Sequence, residues 1–263
     1  MTLTGLLKVA AAAAALWVAA APVAQADSLD DIKAAKKVRI AVAMGVPLFA
    51  FVDDKLQPTG SDVETAKMIA KDLGVELELV QITNAARVPT IQTRKADFLV
   101  ADLAITDERK KAVDFTIPYA TLSIVVAAPA GEAIKDYPDL AGKRIGVTRA
   151  TVNDTLVTQN AKDADIVRFE DDATLITAAV SGQVDIVSTQ AAVVAEMNKN
   201  RTEKLETKFV QRELNLGIAL PKGETALKTW LDDWIKTHFA DGSLNATFKK
   251  FHDRDLPPDL VTR

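Results

Sequence analysis

Val38-Arg-Ile-Ala-Val-Ala43 and, a little further on, Ser61-Asp-Val-Glu-Thr-Ala-Lys-Met-Ile-Ala-Lys-Asp-Leu-Gly74 decide how the chain folds. The first is a short apolar run rich in β-branched residues, the pattern of a buried strand. The second sets Val63, Ala66, Ile69, Ala70 and Leu73 on one side of a helix. Ser61 and Glu64 have capping-box spacing at its start, and Gly74 suits its end. The alternation continues with a strand over 75–82, a helix over 88–95 begun by Pro89, a strand over 97–101 and a helix over 106–112 capped by Thr106. It resumes at Arg144-Ile-Gly-Val-Thr148. A helix over 151–161, a strand over 165–169, a helix over 173–181, a strand over 184–188 and a helix over 191–199 follow. Alternating strands and helices predict α/β sheets covered by helices. Two such cycles predict two lobes. The extended runs 121–128 and 214–220 are suited to cross between them and pair as a hinge. Residues 225–252 read as helical, with Leu227, Trp230, Leu231, Trp234, Ile235 and Phe239 on the apolar face.

Composition narrows the function. The 263 residues carry 32 Lys+Arg against 36 Asp+Glu and no Cys. The balance is slightly acidic, whereas a nucleic-acid partner calls for a basic stripe. Without Cys there is no disulfide framework, thiolate metal cluster or cysteine nucleophile. The N-terminus reads as an address. Lys8 precedes an apolar run from Val9 to Ala21, and Pro22-Val-Ala-Gln-Ala26 ends in small residues at signal-peptidase spacing. Residues 1–26 are therefore expected to be a cleavable signal peptide. The apolar run is shorter than the ~20 residues of a membrane span. No Cys follows it to take a lipid. The expected location is the periplasm.

Known catalytic signatures are missing. His238 and His252 have no ligand-spaced partners, so no metal site is predicted. There is no phosphate-binding glycine loop, nucleophile elbow or zinc-protease motif. The acid pairs Asp53-Asp54, Asp171-Asp172 and Asp232-Asp233 are expected in solvated loops or helix starts. The constellation that does carry chemistry is Ala101-Asp-Leu-Ala-Ile-Thr-Asp-Glu-Arg109. A strand ends, a loop turns, and Thr106 starts a helix with Arg109 one turn in. A guanidinium beside free backbone N–H groups clamps an anion. The other reading is a surface arginine paired with Asp107 or Glu108.

From Val38 to Tyr119 the chain resembles the family 3 extracellular solute-binding proteins, the amino-acid-binding components of ABC importers. The matching stretches are Pro47-Leu-Phe-Ala-Phe51, Gly60-Ser-Asp-Val-Glu-Thr-Ala66, Ala86-Arg-Val-Pro89, Lys95-Ala-Asp97 and Ile105-Thr-Asp-Glu-Arg-Lys-Lys-Ala-Val-Asp-Phe-Thr-Ile-Pro-Tyr119. Leu140-Ala-Gly-Lys-Arg-Ile-Gly-Val147, Gly182-Gln-Val-Asp-Ile-Val187 and Ala240-Asp-Gly-Ser-Leu-Asn245 extend the likeness. Each motif alone is weak. Their order and spacing along the chain are specific.

The resemblance implies a two-lobed periplasmic-binding-protein fold of type II, two α/β lobes joined by two hinge strands. Lobe 1 would be 27–122 plus 217–263, and lobe 2 would be 123–216. It implies capture of a small solute without cofactor or metal, and delivery to an ABC permease by a monomer. Arg109 falls where the family clamps the ligand's α-carboxylate. Thr151 falls where a helix start holds the same group, with Ala150 at a place often taken by Gly. Gln190 replaces the usual ammonium-binding Asp. Asp102 and Ala104 stand where Ser or Thr is common. Asp102 is then either the missing countercharge for an ammonium or an interlobe structural acid. Val46 and Asn84 occupy positions where binders of basic amino acids carry aromatic rings, which argues against a basic ligand. Arg87 either holds a distal carboxylate or is structural, and Phe49 is cleft wall or core. Arg149 is a further candidate for the cleft. The implied ligand is a polar or acidic amino acid or a related small carboxylate. The rivals are a cyclohexadienyl dehydratase-like enzyme, with Asp102 as its acid, and a ligand-sensing partner of a membrane receptor.

Overall fold

The computed structural model describes residues 28–263; the expected signal segment, 1–26, lies outside the described residues. Helix α1 (Ser28–Ala35) leads into β1 (Lys37–Ala43), which is buried from Ile40 onward. A two-stranded ribbon, β2 (Phe51–Val52) with β3 (Pro58–Thr59), precedes α2 (Ser61–Leu73). Then come β4 (Glu76–Ile82), α3 (Arg87–Gln92), β5 (Phe98–Leu99) and α4 (Asp107–Ala112). The long β6 (Asp114–Pro129) opens the second cycle. It runs through β7 (Arg144–Thr148), α5 (Val152–Asn160), β8 (Asp165–Phe169), α6 (Asp172–Val180), β9 (Ile186–Gln190) and α7 (Ala191–Asn200). The long β10 (Leu205–Leu220) returns, and α8 (Thr225–Ala240) and α9 (Ser243–His252) follow.

Eight strands make one mixed sheet in the order β4-β1-β5-β10-β6-β9-β7-β8. β1 is parallel to β4 and β5, and β7 is parallel to β8 and β9. Parallel neighbours need crossover connections, which the helices supply. β6 and β10 pair antiparallel from Leu205↔Pro129 to Leu220↔Asp114 and carry the chain from one parallel half to the other and back. Four register shifts along this pair bend it.

Packing divides with the sheet. Ile40, Phe98, Leu99, Leu216, Leu231 and Ile235 belong to one large core. In the other half Val125 and Ala127 pack with Leu175 and Met197, while Val126 and Ala128 pack with Leu140 and Ile145. Alternate residues of one strand point to opposite faces, so this half is covered on both sides. The result is two α/β lobes joined by two crossing strands.

Local structure differs from expectation at several places: the strands expected over 97–101 and 184–188 are β5 and β9, and Asp232-Asp233 lie in the middle of α8. The capping box at Ser61 does not form. Gly60 is the N-cap of α2, Ser61 lies inside the helix, and its Oγ meets His252 Nε2 at 3.0 Å. The first N–H groups are already taken, because Ser61 N donates to Leu48 O and Asp62 N to Phe49 O, both at 2.9 Å. The helical stretch 225–252 breaks into α8 and α9 at Gly242, where φ is 81°.

Candidate functional site

Three loops at the carboxyl ends of parallel strands meet between the lobes, the position where open α/β sheets hold ligands. The loop after β5 brings Asp102, Ala104 and Arg109. The loop after β7 brings Ala150 and Thr151, and the end of β9 brings Gln190. Two non-glycine residues here are left-handed, Asp102 at φ 43° and Ala150 at φ 57°. Such conformations cost about 1–3 kcal/mol each and persist only where surroundings hold them. For Asp102 the hold is visible. Its N–H donates to Asp62 Oδ2 at 2.7 Å, and Tyr119 OH donates to Asp62 Oδ1 at 2.8 Å. Burial, then the nearby Asp102 charge, push the Asp62 carboxyl well above its ordinary value.

Thr106 caps α4 by accepting from Arg109 N at 3.2 Å, which fixes where the arginine leaves the helix. The Arg109 guanidinium donates to Ala104 O at 3.0 Å and, across the lobes, to Ala150 O at 2.9 Å. It forms no ion pair, so the surface pairing with Asp107 or Glu108 is absent; those two acids pair with Lys110 and Lys111. Burial, then repulsion from Arg87, lower its pKa to about 9.

Arg87 is spent inside the protein. Its Nη1 lies 2.9 Å from Asp102 Oδ1 in an ion pair almost wholly removed from solvent, and its Nε donates to Asn84 O. Gln190 Nε2 reaches across the cleft to Asp102 Oδ2 at 2.7 Å. Burial raises Asp102, with Arg87 the largest opposing influence. Thr151 caps α5, accepting from Asp154 N at 3.2 Å and donating to Thr148 O at 2.6 Å.

Arg87, Asp102, Ala104, Arg109, Thr151 and Gln190 thus converge on one cavity of ≈ 20 Å³, room for about one water. Three other candidates lie elsewhere. Asn84 is buried beside it and donates to Asp172 Oδ2 at 3.2 Å, another interlobe bond. Phe49 is 1% exposed, packs into the lobe core edge-on to His252 at 4.5 Å, and borders a separate interlobe cavity. Arg149 is exposed and faces Glu170 at 3.4 Å.

Sequence reasoning missed the hinge residues Leu122, Ile124 and Leu214, and Val152 and Asn153 of α5, which line the same cavity. It also misplaced Asp172. The pair Asp171-Asp172 does start a helix, but Asp172 is not solvated. It is 2% exposed, accepts from Thr148 Oγ1 at 2.6 Å and meets Asn84 of the other lobe. Burial lifts it to about 6. Neighbours distant in sequence decide this, so no local signal marks it.

The unmatched groups define the chemistry. Among the described residues Gln190 Oε1 and Asn84 Oδ1 are buried acceptors with no donor, and Arg109 has no acid within ion-pair distance, although the Asp102 charge acts on it. A solute bearing both a carboxylate and an N–H donor satisfies both kinds. Among the described residues there is no group of three or more His, Cys, Asp or Glu able to hold a metal ion, and no helix long and apolar enough to cross a membrane.

Comparison with known proteins identifies the family. The profile of the bacterial extracellular solute-binding proteins, family 3, matches residues 38–254. The L-cystine-binding protein TcyJ of Escherichia coli is 28% identical over 233 residues, 87% of each chain. The ABC transporter glutamine-binding protein GlnH of Bacillus subtilis is 31% identical over 235 residues, 87% of this chain and 86% of its own. The crystal structure of the ancestral amino acid-binding protein AncCDT-1, a precursor of cyclohexadienyl dehydratase, superposes with TM-score 0.77 at 31% identity, covering 86% of this chain and 99% of that one.

Proposed function

The chain belongs to the bacterial extracellular solute-binding proteins of family 3, and we propose that it captures a polar or acidic amino acid, or a related small carboxylate, between its lobes for delivery to an ABC permease. We place lobe 1 at 27–122 plus 217–263 and lobe 2 at 123–216, with residues 1–26 as the signal peptide of a periplasmic monomer. The observation that carries this reading is Arg109, a guanidinium without a carboxylate, bridging Ala104 of one lobe and Ala150 of the other.

A solute carboxylate would replace those two carbonyls with charge-assisted bonds, each contributing about 1.5–3 kcal/mol. Thr151, at the start of α5, would face the same group. Gln190 Oε1 would accept from an ammonium, with Asp102 as nearby countercharge. Such a solute enters only when the lobes part, because the closed cavity has space for about one water. Reclosure removes water from the charged contacts and strengthens them. The relatives named for cystine and glutamine support the amino-acid class. Binding without turnover fits Asp102, whose two oxygens are engaged by Arg87 and Gln190.

A thermal-shift screen of the chain without residues 1–26, against amino acids and small carboxylates, tests the proposal. A true ligand at 100 Kd stabilises by about 2.7 kcal/mol. Arg109→Met is expected to abolish the shift while leaving the ligand-free melting temperature nearly unchanged. The proposal fails if no compound shifts the protein, or if Arg109→Met binds as well as wild type.

A further inference from the structure

A larger space lies beyond the Gln190 side chain. Leu48, Phe49, His252 and Arg254 of one lobe face Ala191, Ala192 and Ala195 of the other across a cavity of ≈ 280 Å³. That approaches the ~300 Å³ at which small-molecule sites begin. It shares Gln190 and Leu122 with the cavity at Arg109, so a single side-chain layer separates the two. The alanines on α7 keep the space open.

The charges of this space are unbalanced. Eight of the eleven described arginines lie within 4 Å of a carboxylate. The three that do not are Arg109, Arg212 and Arg254. Arg212 and Arg254 are both exposed, but of the two only Arg254 lines a cavity between the lobes. Arg109 and Arg254 each line an interlobe cavity. Arg254 donates to Thr121 Oγ1 at 3.3 Å and to Thr121 O at 2.7 Å, which leaves three of its five N–H groups uncommitted. Its guanidinium lies 4.8 Å over the Phe248 ring. Glu213 acts on Arg254 from beyond ion-pair distance and accepts a hydrogen bond from Ser123 Oγ. His252 offers no charge either, because burial, then Arg254, lower it to about 3. Beside this lone cation stands Gln190, 8% exposed, whose Oε1 has no donor. α7 begins at the same wall, with no acid in its first turn and no side-chain cap.

We propose that this second interlobe cavity is a second carboxylate compartment, in which Arg254 takes an acid group beside Gln190. The inference rests on the reading that Arg109 takes the first acid. The second acid is the far end of an elongated amino-acid solute or belongs to a second small amino acid. Because both lobes line the compartment, its occupant favours closure.

Isothermal titration of wild type, Arg254→Gln and Ala195→Leu with alanine, glutamate and 2,6-diaminopimelate tests this. In both variants the affinity for at least one diacid is expected to fall tenfold or more, or a second bound equivalent to disappear, with tight alanine binding at Arg109 kept within twofold. One equivalent of diaminopimelate per chain identifies the far end of a single solute. Two equivalents of glutamate or alanine identify a second molecule. Ala195→Leu fills the cavity without touching the Arg254–Thr121 bonds, so agreement of the two variants excludes a folding artefact. If wild type binds alanine alone at one equivalent, or if both variants match wild type throughout, the compartment is refuted and the function stands. If wild type binds none of the three, this inference falls, and the broader screen against Arg109→Met decides the function separately.

Discussion

Arg109 and Gln190 each reach over from their own lobe: Arg109 donates to Ala150 O as well as to Ala104 O of its own lobe, and Gln190 Nε2 donates to Asp102. Their remaining capacity differs in kind: a cation without an acid, and an acceptor without a donor. That asymmetry predicts selectivity for zwitterions. Wild type should bind an amino acid ten- to a hundredfold more tightly than its deaminated analogue, since an unpaired buried polar group costs about 1–3 kcal/mol. Gln190→Ala should shrink the ratio toward one, as competition titration would reveal; equal binding of both compounds by wild type would remove the ammonium assignment. The places of Arg109, Thr151 and Gln190 were legible through ordered motifs around them. The use of Asp102 was not. Asp102 and Arg87 are fifteen residues apart, and their buried pairing depends on a left-handed turn held by Asp62, itself forty residues from Asp102. No local pattern encodes that triple contact.

Elements were more legible than contacts because period and turn chemistry are local. The strands read at 144–148 and 165–169 match β7 and β8 end to end. Gly74 closes α2 at φ 70°, its N–H bonded to Lys71 O, as a C-terminal glycine should. The start of α2 resisted reading because its cap comes from backbone: the Leu48 and Phe49 carbonyls of another segment accept from Ser61 N and Asp62 N. Gly60 makes that approach feasible. A Cβ there would stand 2.3 Å from Phe49 O, on a backbone at φ 118° that L-residues avoid. Gly60→Ala must therefore push the 48–50 segment away and unseat two N–H bonds, a cost of about 3 kcal/mol or more. Urea unfolding should show a loss of unfolding free energy of that size, whereas Gly74→Ala, with no atom within 4 Å, should lose less. Equal losses at the two glycines would place the effect in backbone strain alone.

Across the whole molecule the lobes are pinned by Arg109–Ala150, Gln190–Asp102 and Asn84–Asp172. The last makes closing proton-linked. When the lobes part, Asp172 regains water and returns toward its ordinary 3.8; when they close, burial lifts it to about 6, with Asp102 adding repulsion and Arg87, Thr148 and Asn84 opposing. The closed form thus holds the proton more tightly, so closing takes one up. Its contribution is absent above pH 6, grows as pH falls, and is complete below about 4. Two pKa units correspond to at most about 3 kcal/mol of preference for closure. Asp102, raised by the same burial, acts in the same direction. Ligand-free protein should therefore shift toward the closed form between pH 7 and pH 4, as read by energy transfer between dyes on the two lobes. Asp172→Asn carries no proton to gain and should flatten most of that slope, leaving the part due to Asp102. A closed population that stays constant or falls on acidification would mean that Asp172 remains buried when the lobes part, and that this carboxyl belongs to lobe 2 packing rather than to the latch.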